Sequence, residues 1–102
     1  MTNVSVVIVN YNSGRFLELC VNSVCRSDCL LEMIVVDNAS TDGSADFLDN
    51  LAASYGSLQV IRNEGNLGFA TAINRGVGYS KSENVLFLNQ LFGAAEEVRG
   101  PF

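Results

Sequence analysis

The sequence predicts an α/β fold, a three-layer α/β/α arrangement around a mainly parallel sheet, from three observations. Short β-branched apolar runs alternate with segments whose apolar residues recur at helical spacing. The connections are short, so successive strands pair in parallel through right-handed crossovers. Met33–Val36 is a dense apolar run of the kind that a sheet buries on both faces.

Each element follows in order. Val4 to Val9, interrupted only by Ser5, is the first strand. Phe16, Leu17, Cys20, Val21 and Val24 mark the first helix, capped by Asn12 or Ser13. Leu31 to Val36 is the second strand. Ser44 to Ala53, with Phe47, Leu48 and Leu51 on one face, is the second helix. Leu58 to Ile61 is a short third strand, Leu67 to Val77 a third helix capped by Asn66, and Val85 to Leu88 a fourth strand. From Leu91 to Phe102 the pattern is lost, so residues 1–90 read as one half-domain and 91–102 as a poorly ordered tail. Val85–Leu88 is expected to pair with the first strand and to leave its other edge open, which predicts a homo-oligomer through that edge.

Composition narrows the function. At 102 residues the chain holds one domain and a modest core. With 48% hydrophobic and 17% charged residues it is an ordinary globular chain. Its net charge of -5 and scattered Lys and Arg exclude a nucleic-acid surface. No apolar stretch is long enough to span a bilayer, and Met1-Thr2-Asn3 does not open a signal peptide, so a cytoplasmic protein is expected, membrane-associated only through partners. Cys20, Cys25 and Cys29 form no CxxC pair in a chain without His, and read as ordinary thiols.

In an open parallel sheet, ligands bind beyond the carboxyl ends of the strands. Those tips are polar here: Asn10-Tyr11-Asn12, Asp37-Asn38 and Asn89-Gln90, with Arg62-Asn63-Glu64-Gly65-Asn66 after the third strand. The run Met33–Val36 ends abruptly on Asp37, and a polar, glycine-containing loop follows. A dinucleotide site needs G-x-G-x-x-G where the chain has Asn10-Tyr11-Asn12-Ser13-Gly14, and no Walker-type glycine-lysine loop occurs. Asn38-x-Ser40-x-Asp42-Gly43 follows a strand, not the helix that precedes a calcium loop. The acidic pair of a receiver domain is absent after the first strand.

Four stretches, "VSVVIVNYNSGRFLELCVNSV", "MIVVDNASTDGS", "NEGNLGFATAINRG" and "VLFLN", resemble in order the family 2 glycosyltransferases, particularly their rhamnosyltransferase-like branch. The resemblance covers Val4 to about Asn89. It implies the Rossmann-like, nucleotide-sugar-binding N-terminal half of a GT-A fold, and transfer of a sugar from a UDP- or dTDP-linked donor to an acceptor hydroxyl.

By that resemblance Asp37 accepts a hydrogen bond from the imino N–H of the nucleobase, a task suited to a charged acceptor. Capping the following turn is the other role open to it. Asn10, Tyr11 and Asn12 resemble residues flanking base and ribose, Asn38 opens the loop lining the pocket and capping the second helix, and Asn66 and Gly68 lie near ribose or base. Asn74 and Arg75 resemble positions near the donor, where Arg75 would neutralise phosphate charge.

Asn89 matches the first position of the family's metal turn. Leu91 stands where a carboxylate should hold a divalent cation (Mg or Mn), so none is expected to bind. The stretch "FGAAEEVRGPF" departs from the family, and the half that would carry the catalytic base is absent from the sequence. The reading is therefore a truncated glycosyltransferase, inactive as this chain alone. A non-catalytic binding or interaction module that kept the fold is the alternative, and it predicts no nucleotide affinity.

Overall fold

The computed structural model describes residues 4–26, 30–82, 84–89 and 94–99. Five strands, β1 (Val4–Asn10), β2 (Leu30–Asp37), β3 (Leu58–Arg62), β4 (Asn84–Asn89) and β5 (Ala94–Arg99), form one sheet in the order β3-β2-β1-β4-β5. The first four are mutually parallel and β5 is antiparallel to β4. Helices α1 (Phe16–Cys25), α2 (Leu48–Ser54) and α3 (Phe69–Gly78) complete the α/β layers.

The two-residue period of the strands divides the core. Val6, Ile8, Met33, Val35 and Leu58 pack with Leu17, Val21, Ala45 and Leu48 on the side of α1 and α2. Val7, Val9, Ile34, Val36, Ile61, Val85 and Phe87 pack with Ala72 and Ile73 of α3 on the other. β1 and β2 are therefore apolar on both faces, which is why neither alternates in sequence.

Helix α3 lies close to the sheet at Gly76. A Cβ there would stand 2.5 Å from a methyl of Val7 and 3.1 Å from one of Val36. At the amino-terminal end of the strands, in-register Ser5 and Glu32 meet, the Ser5 hydroxyl donating to Glu32 Oε2 at 2.8 Å. The Lys81 amide donates to the same oxygen and ties down the chain leaving α3.

The first four strands fall where the sequence predicts, but the helix starts do not. α1 begins at Phe16 after Arg15, with no side-chain cap. Neither Asn12 nor Ser13 caps it by a side chain, because both are taken up elsewhere (below). α2 begins at Leu48 rather than Ser44, since residues 44–47 form tight turns, with Asp46 N donating to Gly43 O and Leu48 N to Ala45 O. α3 begins at Phe69 after Gly68; Asn66 instead accepts the Gly68 amide at 3.0 Å, a turn one step ahead of the helix.

The larger correction concerns the tail and the open edge. Ala94–Arg99, expected to be poorly ordered, pairs with β4 along its whole length, Leu86 opposite Glu97 and Phe87 opposite Glu96. A strand edge carries unpaired N–H and C=O groups that any extended segment can satisfy, whatever its apolar pattern. The expected homo-oligomer rested on an open edge at Val85–Leu88, and β5 covers that edge.

Candidate functional site

The alternation that divides the core also sorts the strand tips. Asn10, Asp37 and Arg62 are in register across β1, β2 and β3. They continue the rows of Ile8, Val35 and Val60 on the side of α1 and α2. Asn38 and Asn63, one residue further along β2 and β3, continue the rows of Val36 and Ile61 on the α3 side. Each row ends in its own polar cluster.

The first cluster centres on Asn10, fully buried at 0% exposure. Its Nδ2 lies 2.8 Å from Asp37 Oδ1, 2.9 Å from Ser44 Oγ and 3.0 Å from Ser40 Oγ. The Ser13 hydroxyl donates to its Oδ1. Asp37, 4% exposed, also accepts the Ser40 hydroxyl at 2.6 Å on Oδ1 and the Ser40 amide at 3.1 Å on Oδ2. Asp37 thus closes the turn after its own strand, while Oδ2 keeps acceptor capacity beyond that amide. Ala39 lies within the turn at φ 62°, a conformation that costs a residue with a Cβ roughly 1–2 kcal/mol and that the two Ser40 bonds hold in place.

Two loops clasp above this cluster. Asn12, at φ 50°, turns its Oδ1 to the amides of Thr41 (2.7 Å) and Asp42 (3.2 Å), and its own amide donates to Ser40 Oγ at 3.0 Å. Asp42 answers by accepting the Gly14 amide at 2.9 Å and the Ser44 amide at 2.9 Å. Hydrogen bonds from the Ser44 hydroxyl and amide, and from the Gly14 amide, hold its carboxyl below the ordinary aspartate range. The loop from Asn38 to Ser44 therefore clasps the β1 loop; no side chain caps α2.

In the second cluster Asn63 Nδ2 donates to Asn38 Oδ1 at 2.7 Å, and Asn38 Nδ2 donates to the Gly68 carbonyl at 3.3 Å. This chain joins the tips of β2 and β3 to the start of α3. Gly68 has φ 82° and ψ 167°, a backbone region open in practice to glycine alone. Arg62, although opposite Asp37, points its guanidinium to Asp49 Oδ1 at 3.2 Å and the Ala45 carbonyl at 3.5 Å.

Of the residues singled out from sequence, Asn10, Asn12, Asp37, Asn38, Asn66 and Gly68 gather at the strand tips, with Tyr11 exposed beside them. Asn74 and Arg75 do not join them. Both are on the solvent side of α3, and Arg75 is about 10 Å along the axis from Gly68 at 1.5 Å per residue. Asn89 ends β4 opposite Val9 and Ala94. Gln90, Leu91 and Cys29 lie outside the described residues. Asn63 lies in the polar stretch after the third strand and opens the NEGNLGFATAINRG motif but is not among the residues singled out; its place two residues after buried Ile61 puts it on the α3 face.

A parallel sheet with one polar, cross-linked end also describes other proteins. Residues 5–90 match the family model "Glycosyl transferase family 2". The chain belongs to that family. Among curated family members it is 31% identical over 87 residues to glycosyltransferase GlyG of Streptococcus pneumoniae, covering 84% of this chain and 29% of that protein. It is 36% identical over 94 residues to the putative teichuronic acid biosynthesis glycosyltransferase TuaG of Bacillus subtilis, covering 87% and 37%. The chain thus spans about a third of the length of these relatives.

Solved structures share the fold. Mannosyltransferase PcManGT from Pyrobaculum calidifontis, in complex with GDP-Man and Mn2+, matches at a TM-score of 0.78 and 26% identity over 86% of this chain and 27% of its own. S. aureus TarS 1-349 in complex with UDP-GlcNAc matches at 0.75 and 27% identity over 87% and 26%. The mannosyltransferase complex includes Mn2+, whereas among the described residues of this chain no three Cys, Asp or Glu side chains converge as a metal site. Leu91, the position at which the sequence predicts the missing metal ligand, lies outside the described residues, and no chemical step is routed through a cation. Among them, too, no helix is long and apolar enough to cross a membrane.

Proposed function

We propose that this chain forms the donor-nucleotide-binding part of a glycosyltransferase that moves a sugar from a nucleoside diphosphate sugar to an acceptor hydroxyl. The observation that carries the reading is Asp37, a buried carboxylate at the tip of a central strand whose Oδ2 has acceptor capacity to spare. An ionised carboxylate accepts only, so it favours a base edge that presents an N–H and rejects one that presents a lone pair. Uracil and thymine present such an imino group, as guanine does at N1; the choice of a UDP or dTDP donor rests on the rhamnosyltransferase-like branch that the motifs resemble. Tyr11, exposed at the neighbouring tip, offers a ring for stacking on the base. Asn66 and Gly68, joined by a hydrogen bond at the start of α3, are the residues that the resemblance sets near ribose or base. A cytoplasmic setting, where nucleotide sugars are consumed, accords with this role.

Calorimetric titration of the chain with UDP, dTDP and GDP tests the proposal. The expected result is binding of UDP or dTDP, weakened about ten-fold in Asp37→Ala by loss of one charge-assisted hydrogen bond. Absence of nucleotide binding, or unchanged affinity in a folded Asp37→Ala variant, would overturn it.

A further inference from the structure

We infer that Asn10 is a positioning residue, acting on the nucleotide through Asp37 and not by touching it. This rests on the reading of Asp37 as the acceptor for the base. Asn10 has no exposed surface to offer a ligand. Its amide orientation is fixed from both ends: Oδ1 takes the Ser13 hydroxyl, and Nδ2 faces a carboxylate oxygen at 2.8 Å that can only accept. Nδ2 has two hydrogens and three acceptors around it, Asp37 Oδ1, Ser44 Oγ and Ser40 Oγ, so no donor is left over. With Ser40 it holds Oδ1 and thereby fixes the plane of the carboxylate, leaving on Oδ2, which takes the Ser40 amide, the acceptor capacity for a ligand.

The charged groups around this pair are otherwise engaged. Asp42 on the neighbouring loop takes the Gly14 and Ser44 amides, and Arg62 on β3 turns to Asp49 and the Ala45 carbonyl. Asp46, beside Gly43, and exposed Tyr11 are the other titratable side chains nearby.

Asn10→Asp keeps the shape and replaces the donor by a second carboxylate. The two acids then share a proton and titrate as a pair, the upper step raised by like-charge repulsion. With one proton the pair mimics the native amide–carboxylate bond; without it the carboxylates part and Asp37 leaves its place. UDP and dTDP affinity is measured by calorimetry from about pH 5 to 8 for both chains, the native profile serving as the reference because the nucleotide's terminal phosphate titrates in the same window. Relative to that reference, affinity in Asn10→Asp is expected to fall about ten-fold as pH rises. A profile parallel to the native one overturns the inference, because a merely structural role would change stability and leave the pH dependence alone.

A second comparison covers the case in which Asn10→Asp does not fold. In Asn10→Ala, Asp37→Ala and their double variant, the double variant is expected to bind no more weakly than Asp37→Ala alone. Additive losses would show that Asn10 touches the nucleotide by itself and would overturn the inference while leaving Asp37 in place. Unchanged affinity in Asp37→Ala would instead remove the reading of Asp37 on which the inference stands.

Discussion

Asn63 and Asn38 share a buried hydrogen bond of 2.7 Å that joins the tips of β3 and β2, and it leaves the side-chain Oδ1 of Asn63 buried without a partner among the described residues. The orientation is forced. Asn38 must point its Nδ2 at the Gly68 carbonyl, so its Oδ1 faces Asn63, and Asn63 must answer with Nδ2. Asn38→Ala strands the Asn63 donor in addition to its orphaned oxygen, at an expected loss of about 1–3 kcal/mol. Asn63→Ala removes that orphaned acceptor along with the bond and should cost less. Denaturant midpoints of the two variants check this; equal losses would count against the assigned orientation.

The same substitution two residues apart in α3 should have opposite signs. Gly76→Ala drives a methyl into Val7 and Val36 and is expected to destabilise by about 1–3 kcal/mol. Gly78 has nothing within 4 Å of its would-be Cβ, so Gly78→Ala is expected to stabilise by roughly 0.4–1 kcal/mol through a less flexible unfolded chain. Thermal melts of both variants provide the measurement.

At the other end of the sheet, Glu32→Ala should leave the Ser5 hydroxyl buried without its acceptor and free the Lys81 amide. The expected cost is about 1–3 kcal/mol, with faster hydrogen exchange at Lys81. Slow exchange retained at that amide would contradict the tie between Glu32 and the chain leaving α3.

Asp42 gives the fold a pH dependence whose sign follows from its lowered pKa. A carboxyl with a folded pKa below its unfolded value adds stability that is fully present above the unfolded pKa. That stability is lost as pH falls through the folded value. The native chain should therefore outlast Asp42→Asn in urea at neutral pH, and the two midpoints should converge in acid. A gap that stayed constant with pH would show that the charge on Asp42 does not matter to the clasp.

Much of this was legible beforehand. Apolar runs ending on Asn10 and Asp37 place the two central strands, as a sheet covered on both faces needs such runs. The helix starts were less so. Asn12, Ser13 and Ser44 have the chemistry of N-caps, but Asn12 bonds to the 41–42 amides, Ser13 to Asn10, and Ser44 to Asn10 and Asp42. Local propensity cannot show which of several acceptors a short polar side chain will choose.

The sequence by itself determined the α/β order, the polar strand tips and the family motifs, because apolar periodicity and residue type are properties of the chain. Tertiary structure alone decided that Asn10 holds Asp37, that Asn63 finds Asn38, that Arg62 turns away from Asp37, and that Ala94–Arg99 closes the β4 edge. Each depends on partners 13 to 34 residues apart for the side chains, and on an antiparallel return for the strand, brought together by backbone register. Register is set by packing the two faces of the sheet, which no local window of sequence contains.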